Sequence, residues 1–189
     1  MEDPADPEAA VHEALSRKDY KQALSLLIEL YEKSVYSHCC SILGDATLAE
    51  DARQTTFTQA YKDLPSYRGR STLRLWLYGI TRHRCFDMLK MRRREGKHVE
   101  QMEAPPDIPT LQPSVEEQLH LDSISKQLAR CLAHLDVRVR EAIWLRYMEQ
   151  LSFEEMSQLT DTRAATLQMR VARALPGLLQ CLEASGVTL

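Results

Sequence analysis

Residues 151–175 read LSFEEMSQLTDTRAATLQMRVARAL. Ser152 followed three residues later by Glu155 is a capping box, in which each side chain accepts a hydrogen bond from the other residue's free amide, so a helix starts here. Met156 and Leu159 give that helix an apolar stripe, and Thr160-Asp161-Thr162 interrupts it as a tight turn. Thr162 is the expected cap of a second helix, whose inner face is Leu167, Val171 and Leu175 at four-residue steps. Pro176, with no amide to donate, should kink or end it. Helix, three-residue turn, helix is the layout of a helix-turn-helix DNA reader. The second helix carries Arg163, Gln168, Arg170 and Arg173, with no acid between Thr162 and Leu182. Arg163, Ala164, Thr166 and Gln168 near its start suit base edges, whereas Arg170 and Arg173 suit phosphates, which orient without specifying sequence. A plain helical hairpin with a solvated basic face has the same spacing, so the rest of the chain must decide.

Working toward the N-terminus, Asp136 can cap a helix carrying Val139, Ala142, Ile143 and Tyr147, and Ile124, Leu128, Leu132 and Leu135 step down one before it. Upstream the periodicity vanishes. Pro105, Pro106, Pro109 and Pro113 fall among acids, which predicts an extended, flexible, acidic linker over 95–118. It separates a domain at 1–94 from one at 119–189. In the first, Leu24, Leu27, Ile28, Tyr31, Val35 and Ile42 predict a long helix ending at Gly44. Thr47 and Glu50 form a second expected capping box, opening a helix that Pro65 stops after Leu64. Ser71 or Thr72 then caps a third helix reaching about Arg94, apolar on more than one side, as a central bundle helix is. Ala14, Tyr20, Ala23 and Tyr31 loosely echo half of a tetratricopeptide unit, but no second copy is visible, so they extend the bundle. Strand signals are scarce, and the class is all-α: two small helical domains joined by a flexible Pro-rich linker.

Composition narrows the function. The chain has 189 residues with a formal net charge of -3, and that mean hides a segregation. Residues 62–98 hold eleven basic groups against three acids; residues 99–125 hold six acids and the first sixteen residues five, with no Lys or Arg in either. Such a basic segment suits a polyanion. Tyr67, Trp76, Tyr78 and Phe86 lie among its cations, the combination that stacks unpaired bases, although core packing is an equal use for Trp76. No apolar run is long enough for a membrane span, and the acidic start does not resemble a secretory signal, so a cytoplasmic protein is expected. Cys39, Cys40, Cys85, Cys131 and Cys181 are odd in number with no CxxC pair, which favours reduced thiols over a disulfide framework. His38-Cys39-Cys40 and His83-Arg84-Cys85 are adjacent rather than one helical turn apart, so their side chains diverge and no metal site is expected. There is no P-loop or GxGxxG either, so neither a cofactor nor catalysis is expected.

The joint pattern resembles extracytoplasmic-function sigma factors of the sigma-70 family, the dissociable promoter-choosing subunits of bacterial RNA polymerase. Leu43-Gly44-Asp45 and Ala49-Glu50-Asp51-Ala52-Arg53-Gln54-Thr55-Thr56-Phe57 resemble that family's core-binding helix. Tyr67-Arg68-Gly69-Arg70-Ser71-Thr72-Leu73-Arg74-Leu75-Trp76-Leu77-Tyr78-Gly79-Ile80 resembles its promoter-melting segment, and Arg82-His83-Arg84-Cys85-Phe86-Asp87 continues into its −10-reading helix. Leu145-Arg146-Tyr147 and Leu151 to Met156 resemble the start of its −35-reading domain. The resemblance implies docking of Asp51, Gln54 and Phe57 on the clamp helices of the polymerase largest subunit, with Glu50 used in the cap, and further contact with the polymerase flap. It implies a −10 surface of Arg68, Arg70, Ser71, Thr72, Arg74, Trp76, Arg82, His83, Arg84 and Lys90. It implies a −35 surface of Arg163, Ala164, Thr166, Gln168, Arg170 and Arg173. Promoter DNA, core polymerase and an anti-sigma protein are the implied partners. The acidic N-terminus and linker are further expected to screen the basic helix. The chain departs from the family at Thr160-Asp161-Thr162, where Leu-Gly-Ile is usual, and at Ala165, Gln168 and His83, where Gly, Lys and Asn are frequent. A helix-turn-helix regulator that binds duplex DNA alone is the nearest rival class, and an enzyme the third.

Overall fold

The computed structural model describes the backbone of residues 7–96 and 115–186, and side chains over 7–96 and 124–186. Its described residues are all-helical apart from turns. The N-terminal half comprises α1 (Ala9–Ser16), α2 (Tyr20–Leu43), α3 (Ala46–Asp63), a 3-10 turn at Leu64–Ser66 and α4 (Leu73–Arg94). The C-terminal half comprises α5 (Val115–Ala133), α6 (Val137–Tyr147), α7 (Phe153–Thr160) and α8 (Ala164–Ala184).

Local chemistry sets most boundaries. Gly44 ends α2 in the left-handed conformation (φ 68°), which glycine adopts without a Cβ clash. Thr72 caps α4 by accepting from the Leu75 amide, and Asp136 caps α6 through the Arg138 amide. The Ser152–Glu155 capping box forms in full. The Thr47–Glu50 box does not: α3 starts earlier, where Asp45 accepts from the Leu48 amide at 2.9 Å. Glu50 instead holds Arg53 and Gln54, and that Arg53 bond keeps its carboxyl below the usual range. The helix over α8 also starts later than expected. Its N-cap is Arg163, without a side-chain cap bond, while Thr162 bonds the Thr160 carbonyl. Pro176 does not end α8, which continues to Ala184 because the second half has its own apolar anchors, Leu178 and Leu182. Helix α5 begins four residues before the expected domain start. Most of the expected linker, 97–114, lies outside the described residues.

Two packing results differ from a picture of separate domains. Helices α2, α3 and α4 form a bundle, with α1 clamped on α2 through Val11, Ala14, Ala23 and Leu27. Its main apolar cluster does not stop there: Leu75, Leu77 and Tyr78 share one core with Ala142, Trp144, Leu145, Met156 and Leu167. Helix α6 thus packs along α2, and α7 against α4. A smaller cluster of Cys131, Ile143, Leu178 and Leu182 joins α5 to the end of α8. There the expectation of reduced thiols fails in part, because Cys131 and Cys181 form a disulfide. The two cysteines are 50 residues apart in sequence, and only the folding of α5 onto α8 brings their Cα atoms to 5.8 Å. Cys39, Cys40 and Cys85 are free and buried.

Candidate nucleic-acid interface

The turn before α4 and the first turns of that helix surround a cavity of about 450 Å³, lined by Ser71, Trp76, His83 and Arg84 together with Gln59 and Asp63 of α3. Its floor is Leu75, Gly79 and Ile80. A cavity with one aromatic wall and several amide, hydroxyl and cationic groups is chemically suited to an unstacked base. Trp76 is held in place by Tyr67, with ring centroids 5.3 Å apart, and Tyr67 donates to the Ser71 carbonyl. Thr72 is exposed, yet its hydroxyl is used in the α4 cap. Arg68 folds back on the Pro65 and Tyr67 carbonyls, whereas Arg70 projects from the turn. Farther along α4, Asp87 gathers His83, Arg84 and Lys90 at 3.2, 3.9 and 3.8 Å. Of the residues expected at the −10 element, Ser71, Trp76, His83 and Arg84 line this cavity, and Lys90 joins His83 and Arg84 around Asp87. Gln59 and Asp63 are additions from α3, and their only sequence signal was four-residue spacing beside that helix.

Two of the cations are engaged from the other half of the molecule. Arg82 pairs with the buried Glu141 of α6 at 3.0 Å and lies over the Phe86 ring. Arg74 donates to the Glu149 carbonyl at 3.4 Å, and the Glu149 carboxylate accepts from the Tyr78 hydroxyl. Burial, then Glu149, push the Tyr78 hydroxyl pKa well above the usual tyrosine range. Gln158 and Leu159 of α7 complete the wall of the cavity. His38 of α2 is fully buried, stacked on Trp144 at 4.4 Å and 3.6 Å from Glu141. Arg140 reaches the Ser41 and Ile42 carbonyls at the end of α2, where a cation meets the orphan carbonyls and negative end of the helix dipole. Burial lowers the Arg140 pKa from its usual value. Of the acidic N-terminus expected to screen α4, Glu8 and Glu13 are described: Glu8 accepts from the Arg74 amide at 3.0 Å, and Glu13 pairs with Arg17 of its own segment at 3.4 Å.

The helix-turn-helix is formed by α7, a turn and α8. Asp161 takes the left-handed conformation that the turn demands (φ 51°). At about 100° per residue, Leu167 and Val171 point inward, and Thr166, Met169 and Arg173 point away from the core. Arg163 and Gln168 are exposed and Ala164 half-buried at the leading turn. Arg170 sits on the flank toward Arg82, Glu141 and Asp161, in a polar recess of about 180 Å³. The −35 set is thus one exposed surface with Arg170 at its inner edge. Met169, 52% exposed at its centre, was missed; its signal is a large apolar group out of phase with Leu167 and Val171.

The expected polymerase-docking stripe divides. Asp51 and Gln54 are exposed on α3, but Phe57 is 6% exposed and belongs to the core cluster. Three-residue steps drift backwards around a helix, and by the third residue the stripe has turned into the bundle. Phe57 therefore acts as packing under the stripe.

A basic helix beside a cavity with an aromatic wall, followed in one chain by a helix-turn-helix, is the arrangement of a nucleic-acid-binding protein. The model of sigma-70 region 2 matches residues 27–95 and that of sigma-70 region 4 matches residues 125–175, together more than half of the chain. The chain is 27% identical over 150 residues to the ECF RNA polymerase sigma factor SigM of Bacillus subtilis, covering 78% of this chain and 88% of that protein. It is 27% identical over 178 residues to the RNA polymerase sigma-H factor of Pseudomonas aeruginosa, covering 86% of each. Its fold is similar to that of the sigma factor RpoE of Bartonella quintana, solved in complex with the anti-sigma factor NepR, with a TM-score of 0.71 and 24% identity over 88% of this chain and 98% of that one. The chain belongs to the extracytoplasmic-function group of the sigma-70 family, as a promoter-recognising transcription initiation factor.

Proposed function

We propose that this chain binds core RNA polymerase in the cytoplasm and directs initiation by reading the −35 element with α8 and the −10 element with α4, where it assists strand opening. The observation that carries the reading is the cavity beside α4, bounded by Trp76, Ser71, His83 and Arg84. A duplex-only regulator has no use for an aromatic-walled recess on a basic helix. Extruding a base costs a few kcal/mol, and stacking on Trp76 with hydrogen bonds at the rim offsets that cost. Arg84, Lys90 and the projecting Arg70 supply backbone attraction that weakens steeply with salt. Asp51 and Gln54 are the polymerase contact on the exposed side of α3, with the flap as a second contact for the C-terminal half.

The packed arrangement is the resting form in this reading. Arg74 and Arg82 are held by Glu149 and Glu141, and Gln158 and Leu159 of α7 stand at the cavity wall, so in this reading the two halves part to free both arginines for the −10 strand. An anti-sigma protein, by analogy with the RpoE–NepR pair, is the partner that keeps them together. The deciding experiment is run-off transcription with purified core polymerase on promoters selected from a random library. Accurate initiation only when the chain is added supports the reading, and an initiation pattern identical with and without it overturns it.

A further inference from the structure

The cysteines of this chain fall into two chemical groups. Cys39, Cys40 and Cys85 are buried thiols; a hydrogen bond with the Cys85 thiol and burial hold the Cys39 pKa far above the usual thiol range, and burial pushes Cys40 up to about 12. Thiols so protonated are poor nucleophiles. Cys131 and Cys181 differ. They are already joined, and Cys181 is only half-buried whereas Cys131 is buried, so the Cys181 side of the bridge lies nearer solvent.

The position of Cys181 in α8 gives the bond leverage. The DNA-facing residues occupy the first half of the helix, up to Arg173, and Cys181 lies near the last turn. Between them stand Pro176, which cannot donate to the carbonyl one turn back, and Gly177, a weak helix former. A Cβ at Gly177 would meet nothing within 4 Å, so close packing does not require the glycine. The helix is therefore weakest at its middle. Its second half is anchored by Leu178, Leu182 and the bridge, in the smallest of the three apolar clusters. Helix α5, on the other side of the bridge, also supplies Leu128 and Leu132 to an apolar cleft of about 270 Å³ that runs to Trp144 and Ser37 at the seam between the two halves.

We propose that Cys131–Cys181 is a reversible redox-modification site that sets whether α5 and the second half of α8 move as one body. In the reduced form two thiols face each other. The Cys181 thiolate attacks a hydroperoxide, forming a sulfenic acid and releasing water or an alcohol. The Cys131 thiolate then attacks that sulfur, the S–S bond forms, and hydroxide leaves and is protonated to water. Two electrons pass from the thiols to the peroxide. In reverse, two equivalents of a small thiol restore both cysteines and become the oxidised disulfide. The oxidised form pins α5 to α8 and stiffens the reading helix; the reduced form lets the segment after Pro176 fray and loosens the cleft at the seam.

The functional consequence rests on the proposed −35 reading, so the experiment has one arm that does not. Full-length protein is incubated with millimolar dithiothreitol or with low hydrogen peroxide, and thiols are counted by alkylation and mass. The expected change is from three free thiols to five on reduction, reversed by peroxide. Hydrogen exchange should then quicken at least tenfold over α5 and residues 177–184, with α2 and α3 unchanged. In the second arm, duplex carrying the selected −35 element should bind several-fold more weakly to the reduced form. The Cys131→Ser/Cys181→Ser variant should stay at the reduced level under both treatments. A bridge that millimolar thiol does not open in the folded protein overturns the proposal, and so do equal exchange rates in the two states. If −35 binding is absent in both states while exchange responds, the promoter reading fails and the redox site stands.

Discussion

Glu141→Gln should make this protein bind −10 DNA more tightly without core polymerase. Glu141 is nearly fully buried on α6, 3.0 Å from Arg82 of α4 and 3.6 Å from His38 of α2. At 3.0 Å and an effective dielectric of about 20, the Arg82 attraction amounts to roughly 5–6 kcal/mol. Burying the carboxylate costs several kcal/mol in return, and the guanidinium, which stays partly exposed, costs less. Removing one charge of such a pair leaves the other uncompensated only while the halves are packed, because Arg82 regains water when they part. The net loss should therefore fall on the closed form alone, at about 2 kcal/mol, between the worth of an exposed ion pair and the cost of breaking a fully buried one. While the closed form still predominates, the open fraction rises by the same factor, about 30-fold, and the apparent Kd for an open-state ligand falls with it. The assay is fluorescence anisotropy with a labelled single strand carrying the non-template −10 element, at fixed salt. Equal affinity for wild type and Glu141→Gln, with matched circular dichroism, would refute the idea that the C-terminal half competes with DNA for α4.

Other perturbations test separate parts of the reading. Asp51→Arg reverses an exposed charge on α3 and should abolish co-purification with core polymerase while leaving the melting temperature within about a degree, as surface changes usually do. Arg173→Ala, on the outward face of α8, should weaken binding to all −35 sequences alike and reduce the magnitude of the salt slope by about 1 in a log–log titration. Asp161→Gly should stabilise the C-terminal half by up to about 1 kcal/mol in urea unfolding, because glycine adopts φ 51° without a Cβ clash. Glu155 has its pKa lowered by the Ser152 amide and hydroxyl. A carboxyl depressed in the folded state contributes stability above its unfolded pKa and loses it as pH falls through the folded value. Ser152→Ala should cost about 1 kcal/mol at pH 7 and somewhat less below the carboxylate range, where the hydroxyl's bond to the Glu155 carboxylate weakens but its bond from the Glu155 amide remains, measured by denaturation across pH. No measurable cost at either pH would contradict the capping account.

Much of this protein was legible because helices are local objects. Gly44, Thr72, Asp136 and the Ser152–Glu155 pair set their helix ends through groups at most four residues away, and each behaves as its residue type and spacing required. The basic character of α4 and the turn at Asp161 were equally plain in one dimension. Short-range rules failed where two solutions competed within a few residues: Asp45 displaced Thr47 as a cap, and Leu178 with Leu182 carried α8 past Pro176. Which groups meet across long separations was decided by packing. Burial of Phe57, the Cys131–Cys181 bridge, and Glu141 between His38 and Arg82 each depend on helices brought together from distant parts of the chain. Periodicity shows that a helix has an inner face but not which helix covers it, because any apolar surface of fitting shape satisfies the same hydrophobic demand. The kind of protein was written along the chain; the seam that holds its two halves together exists only in three dimensions.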